Sequence, residues 1–351
     1  MVFTRMLNRC TSKTKFLVLD GGMGLALHNR YRVPRHKDAW MLQVLLEEQL
    51  HNSCISAHVD FMRAGADVIT TFNYNCTPYY TESLGRKDDI TKLCRIAGEL
   101  ALKAKEISQK ERGEQHLACQ GPFVAGSLPP LGSNFHAYDA SRAEEYFNIY
   151  LTIIGALWSY VDLFIVETMS SIEEALIPAR ALSVYCGSQF TAQKELVLSW
   201  TVNNDGKLRG SNETVTDAIK AAEADPQVQA IGYSVNCAQI PECLVAMAEA
   251  QQALDTLGLS GKRFLATYPN NCVITSEWHT HNEENVMPPE GLLTLDYFSR
   301  SAVEFLKLPS MRMIGGCCGI YAEHVNQLSK LSRRFPLPLD PGNEAHLIFE
   351  V

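Results

Sequence analysis

Eight short apolar runs, each followed by a segment of helical pattern, set the tightest limit on what this chain can fold into. They are Phe16 to Gly22, Ala66 to Phe72, His116 to Gly121 running on towards Gly126, Leu163 to Met169, Leu196 to Val202, Ala230 to Cys237, Arg263 to Asn270, and Arg312 to Cys317. Each is about as long as a buried parallel strand, and most end in polar, Gly or Cys residues. The intervening segments read as helices. Leu93, Ile96, Ala97, Leu100, Ala104 and Ile107 keep a three-to-four residue spacing, with Asp88 and Asp89 near the expected N-cap. Ile55, Val59 and Met62 repeat the pattern before a stop at Ala64-Gly65. Ser211 to Thr214 opens a helix through Ala224 that Asp225-Pro226 closes, and Pro288-Pro289 precedes one reaching about Leu306. Eight strand–helix alternations in 351 residues predict a single (β/α)8 TIM barrel of the α/β class. The barrel is expected over 15–335, with a flexible N-terminus at 1–14 and a C-terminal tail at 336–351.

Composition narrows the function classes. The net charge of -8 and the lack of a long basic run argue against a nucleic-acid partner. No apolar stretch approaches the roughly 20 residues of a membrane span. The segment Met1 to Lys15 carries Arg5, Arg9, Lys13 and Lys15 without the apolar core of a secretory signal. It reads as a basic frayed terminus, with a short organellar transit segment as the alternative. The 11 cysteines are odd in number and form no C-x-x-C pair, which fits a reducing compartment. A cytoplasmic location is expected.

In a barrel the C-terminal strand ends converge on one mouth. Here they bring Asp20, Gly21 and Gly22, Thr70 and Thr71, Glu167, Trp200, Thr201 and Asn203, Asn236 and Cys237, Tyr268 and Asn270, and Cys317 and Cys318. Long loops at 126–138 and 270–288 are placed to shape that mouth. Cys317 and Cys318 sit between glycines. Their Cα atoms are about 3.8 Å apart, too close for a relaxed disulfide, so the pair suits a soft metal such as zinc. Strands six and eight are two apart around the ring, and side chains of alternate strands share a layer. Cys237 can therefore face the pair and give three sulfurs with an open fourth place, the pattern of a catalytic zinc site. Cys76 and Cys272 also lie just beyond strand ends and compete for the role. Cys10, Cys54, Cys94, Cys119, Cys186 and Cys243 read as packing or surface thiols.

Gly316-Cys317-Cys318-Gly319, Asn236-Cys237, Leu19-Asp20-Gly21-Gly22 and the Glu167-Thr168 step together resemble the homocysteine S-methyltransferase family, from about Lys15 to about Leu331. The resemblance implies a zinc-binding barrel that moves a methyl group to the sulfur of homocysteine, giving methionine. It implies one Zn2+ per chain, held by Cys237, Cys317 and Cys318, and it places Glu167 on the substrate's amino group. Asn236 belongs to the same expected substrate set. Asp20 is expected to share the ammonium, and the side-chain-free backbone at Gly21 and Gly22 to approach the carboxylate. Thr71 is expected to add a hydroxyl. No other catalytic side chain is needed, because the thiol loses its proton on binding zinc.

The methyl donor is less constrained. Gly126 to Leu131 resembles the sulfonium-using branch, which employs S-methylmethionine or S-adenosylmethionine, more than the betaine branch. Aromatic faces hold methylated cations, and Phe72, Trp200, Tyr233 and Tyr268 are the candidates. The segments Thr71 to Cys76 and Asn271 to Ile274 depart from the expected family pattern. Past Pro336 the chain is short, unlike the extended betaine enzymes, and a monomer or weak oligomer is expected. The alternatives are a betaine-dependent enzyme, a catalytically silent zinc or thiol-binding barrel, and a redox or nucleophilic cysteine site reached by His279 and His281.

Overall fold

The computed structural model describes residues 16–34, 40–112, 122–132, 138–189, 194–272 and 294–334. Eight parallel strands form the centre: β1 Leu17–Val18, β2 Val68–Thr70, β3 Phe123–Leu128, β4 Leu163–Met169, β5 Glu195–Trp200, β6 Gly232–Gln239, β7 Phe264–Asn270 and β8 Met311–Ile314. Each strand pairs with its sequence neighbour, and β1 pairs with β8 through Leu17↔Met313 and Val18↔Ile314. The parallel bridge Leu19↔Val68 joins β1 to β2 and closes the ring. The expected (β/α)8 barrel is therefore what the chain builds. The third strand starts at Phe123; the residues from His116 to Gly121, where it was expected to begin, lie outside the described set. So do the terminal segments 1–14 and 336–351, Cys10, Cys119, His279, His281 and the loop residues 133–137 and 273–288.

The helices are α1 Met23–Tyr31, α2 Trp40–Leu46, α3 Glu48–Ala64, α4 Pro78–Ser83, α5 Ile90–Arg112, α6 Ala143–Leu157, α7 Ile172–Gln189, α8 Val215–Ala224, α9 Ile240–Thr256, α10 Leu295–Leu306 and α11 Ala322–Arg334. Local chemistry sets their ends. Thr214 caps α8 by accepting from the Asp217 N–H, and Thr294 caps α10 by accepting from the Tyr297 N–H. Gly65 ends α3 in the left-handed conformation at φ 109°. Asp88 and Asp89 sit in a short 3-10 turn that leads into α5, rather than capping it directly.

Side chains alternate across the strands and make two cores. Leu17, Leu19, Val68, Leu163, Ile165 and Met313 pack inside the ring, while Val18, Phe164, Val166, Leu198 and Val235 pack outward against the helices. Towards the C-terminal strand ends the interior turns polar, with Ser127, Glu167, Ser199 and Asn236 all buried. That change marks the site. Among the described residues no helix is long and apolar enough to cross a membrane.

Candidate metal and amino-acid site

The turn after β8 lies against the turn after β1. Gly316 N–H donates to the Asp20 carbonyl, and Gly22 N–H donates to the Ile320 carbonyl. A Cβ on Gly22 would lie 2.3 Å from the Cys317 carbonyl oxygen, and one on Gly21 would lie 2.5 Å from that of Ile320. The Asp-Gly-Gly and Gly-Gly-Cys-Cys-Gly motifs are thus one interlocked unit, and the first pair of glycines is required by close backbone approach.

Cys237 enters from β6. Alternation would turn it outward, because Val235 packs outward and the Asn236 side chain points inward. Instead Cys237 takes a left-handed φ of 52°, and the pairing of β6 with β7 shifts register between Asn236 and Gln239. This bulge re-aims the side chain towards the mouth. The Sγ atoms of Cys237, Cys317 and Cys318 come within 4.8 Å of one another. Asn270, at the end of β7, ties the trio together. Its Oδ1 accepts from the Cys318 N–H at 3.0 Å, and its Nδ2 donates to Cys237 Sγ at 3.9 Å. Contact with Cys317 favours the thiolate at Cys237, but contact with Cys318 and burial outweigh it and push the Cys237 thiol above its ordinary range, with the charge of Arg209 opposing. Hydrogen bonds from Cys237 and Cys317 hold the Cys318 thiol below its ordinary range, and thiol contacts and burial push Cys317 up. One thiolate is stable in this cluster by itself; three need a cation between them. A tetrahedral zinc with bonds of about 2.3 Å places its sulfurs roughly 3.8 Å apart, so this donor set fits zinc.

Opposite the sulfurs stand two carboxylates. Glu167 ends the inward row of β4 and accepts from Ser127 Oγ. Burial raises its pKa from 4.5 to about 7. Asp20 accepts from the Thr70 N–H at 2.7 Å, and burial raises its pKa to about 8, with the charge of Glu167 contributing. Thr168, the next residue on β4, also adopts a left-handed φ, 62°. Asn236 holds it there. The Thr168 N–H donates to Asn236 Oδ1, and Asn236 Nδ2 donates to Thr168 Oγ1.

These groups line one cavity of about 260 Å³ with Met23, Trp40, Met41, Thr71, Phe72, Tyr74, Thr168 and Tyr268. Among the described residues its lining includes no Lys, Arg or His. Two desolvated carboxylates with no cation among the described lining residues are matched by a ligand that brings an ammonium.

Among the residues expected at the site, Asp20, Gly21, Gly22, Thr71, Phe72, Glu167, Cys237, Tyr268, Cys317 and Cys318 line the cavity. Asn236 is beneath it, fully buried, with its amide engaged by Thr168 and Ser199. Thr71 donates its hydroxyl to Asn73 Oδ1 and accepts from the Ser127 N–H, and the Gly22 N–H is taken by Ile320. Trp200 and Tyr233 are not brought to the cavity. They stack on each other at 6.1 Å in the outer core, and the Tyr233 hydroxyl donates to Glu223. Of the two competing cysteines, Cys76 is buried beside Cys94, and Cys272 is buried outside the three-sulfur group.

Three comparisons with known proteins agree with this geometry. The family profile described as homocysteine S-methyltransferase matches residues 17–332. The chain belongs to the homocysteine S-methyltransferase family. The homocysteine S-methyltransferase of Escherichia coli is 26% identical over 323 residues, covering 87% of this chain and 92% of the relative. The maize homocysteine S-methyltransferase 4 is 24% identical over 335 residues, covering 90% and 89%. Among solved structures, the homocysteine methyltransferase MmuM of E. coli in its metallated form superposes with a TM-score of 0.69 at 22% identity. It covers 93% of this chain and 100% of that one, a likeness of fold.

For a member of this family, sequence reasoning missed several cavity-lining residues, Met23 among them, and the contacts of Asn270. Trp40, Met41 and Tyr74 line the cavity from loop or helix-start positions that carry no strand-end signal. Asn270 was visible as a strand end, but its bridge between Cys237 and Cys318 spans chain separations of 33 and 48.

Proposed function

We propose that the protein transfers a methyl group from a sulfonium donor, S-methylmethionine or S-adenosylmethionine, to the thiol of L-homocysteine, with zinc as its resident metal. One observation carries the reading: three clustered thiols face two desolvated carboxylates across a cavity whose lining, among the described residues, has no cation of its own. An amino acid with a thiol supplies a group for each wall.

Cys237, Cys317 and Cys318 would hold the zinc, which when bound supplies the Lewis acidity that makes a thiol nucleophilic at neutral pH. Glu167 and Asp20 hold the substrate ammonium between them, and each is then stable as a carboxylate. Ser127 fixes Glu167, and the Asn236–Thr168 pair fixes the strand end that carries it. Trp40, Met41, Met23 and Phe72 make an apolar mouth that excludes water. Attack on a sulfonium neutralises its charge: the donor's methyl–sulfur bond breaks, the pair of electrons stays on the donor sulfur, and a neutral thioether leaves. An apolar mouth favours that change. The reaction needs no general base at the methyl-transfer step.

The test offers homocysteine with S-methylmethionine, S-adenosylmethionine and betaine in parallel, with zinc measured on the same sample. Methionine formation from either sulfonium with about one zinc per chain is the expected result. A metal-free active protein would remove zinc from the reading, and turnover with betaine alone would replace the donor.

A further inference from the structure

β7 ends at Asn270, and the next residue, Asn271, has a partner that the substrate cavity does not explain. Asn271 is 1% exposed and His324, in the first turn of α11, is 6% exposed. The Asn271 side-chain amide lies with its Nδ2 2.9 Å from His324 Nε2. The Asn271 backbone N–H donates to the Cys318 carbonyl at 2.8 Å. On the other side of the ring, His324 Nδ1 receives the Tyr321 N–H at 3.1 Å. Phe298 stands edge-on to the imidazole, with ring centroids 5.3 Å apart at 89°.

These contacts fix the tautomer. A backbone N–H only donates, so Nδ1 carries the lone pair. Burial lowers the pKa of His324 and keeps the ring neutral. A neutral imidazole has one N–H, which is therefore on Nε2. The amide atom facing it must accept, so the Asn271 amide is assigned with its oxygen, in place of Nδ2, towards the ring. A continuous path then runs from α11 through the His324 ring and the Asn271 side chain to the backbone of Cys318.

We propose that His324 is a positioning residue for the metal-binding cysteines: its Nε2–H fixes Asn271, and Asn271 fixes the Cys318 turn that presents the adjacent thiols. This rests on reading Cys237, Cys317 and Cys318 as a zinc site. Groups that orient metal ligands typically govern affinity by about 10–100-fold. His324 touches neither substrate nor metal ligand side chain, so its effect should appear in metal retention and in the KM for homocysteine.

Two isosteric variants separate this role from simple helix capping. In His324→Gln the side-chain amide places an N–H near the Nε2 position; in His324→Asn it places an oxygen near Nδ1. Zinc loss to a competing chelator is measured on both full-length proteins and on the wild type, with melting temperature as a control for folding. The expected result is that His324→Asn holds zinc about 10–100-fold more weakly and has a raised KM for homocysteine. His324→Gln stays near the wild type. The reverse order, or equal zinc affinity in all three proteins, overturns the proposal. If a variant does not fold, the nitrogen chemical shifts of His324 in the wild-type protein decide instead. Protonated Nε2 with bare Nδ1 supports the arrangement, and the opposite tautomer overturns it. A wild type that retains no zinc sinks the zinc reading itself, a result distinct from zinc held equally well by all three.

Discussion

The thiol wall and the carboxylate wall of the cavity are both negative, but they are stabilised differently. The Cys318 N–H donates to Asn270 Oδ1, and Asn270 Nδ2 donates to Cys237 Sγ; the neighbouring thiols hold Cys318 below its ordinary range, while Cys237 and Cys317 are pushed above theirs. The protein itself thus supports one thiolate on that side, and three only with a cation among them. Glu167 and Asp20 receive hydrogen bonds from Ser127 and Thr70, yet burial outweighs these and raises both pKa values. With zinc as the proposed resident metal, the first wall would take a cation that stays, and the second one that comes and goes with each turnover. A wall of the second kind must be unsatisfied when empty, because a permanent protein cation there would occupy the place of the ligand.

The largest expected effect breaks the first wall. Cys317→Ser or Cys318→Ser should lose the metal and reduce methyl transfer to undetectable levels, read by metal analysis and methionine formation. Retained zinc with full turnover would show that the sulfurs are not the ligands.

Breaking the second wall should leave the metal in place. Removing one charge of a buried pair costs about 2–5 kcal/mol, so Glu167→Gln should raise the KM for homocysteine by about thirty-fold or more with zinc content unchanged. The same substitution sharpens the comparison through pH. The Glu167 carboxyl titrates at 4.5 ordinarily and at about 7 in the fold. Between those values the folded state keeps a proton that the unfolded state has lost, so this group's contribution to stability falls as pH rises. Substrate affinity has the opposite slope, rising through about pH 7 as the carboxylate forms. Glu167→Gln should therefore flatten both profiles and stabilise the ligand-free protein above pH 7. Melting temperatures and KM values across pH check the two slopes.

A smaller effect tests what holds the carboxylate wall. Asn236→Ala leaves buried polar groups of Thr168 and Ser199 without their partner, at about 1–3 kcal/mol of stability. It should also raise the KM for homocysteine, because the strained Thr168 step that sets Glu167 is released. An unchanged KM with lowered stability would confine Asn236 to the core.

The smallest effect concerns the aromatics. Trp200→Phe and Tyr233→Phe should alter stability slightly and leave the KM for the methyl donor unchanged, whereas Phe72→Ala should raise it. Donor titrations on the three variants compare the outer core with the cavity.

The sequence by itself determined the barrel, because strands buried on both faces must be apolar along their whole length, and eight such runs alternate with helical periods. It also marked Cys237, Cys317 and Cys318 as candidate metal ligands and Glu167 as a candidate substrate contact, since polar or sulfur-bearing residues at the ends of apolar strands have few other reasons to be there. Sidedness was less legible. Phe72 and Tyr268 face the cavity while Trp200 and Tyr233 face the helices, and that choice depends on strand register and bulges, not on residue type. Cys237 shows the limit most clearly. Counting residues along β6 turns it outward, and only a left-handed backbone step, coupled to the register shift against β7, brings its sulfur to the other two. The contacts that make the site rigid were likewise beyond the sequence. Asn236 to Thr168, Asn270 to Cys237 and Cys318, and His324 to Asn271 each join residues 33 to 68 positions apart. Hydrophobic pattern is a local property of the chain and can be read locally. Hydrogen-bond partners at a barrel mouth are set by which strand ends meet, and only the closed ring decides that.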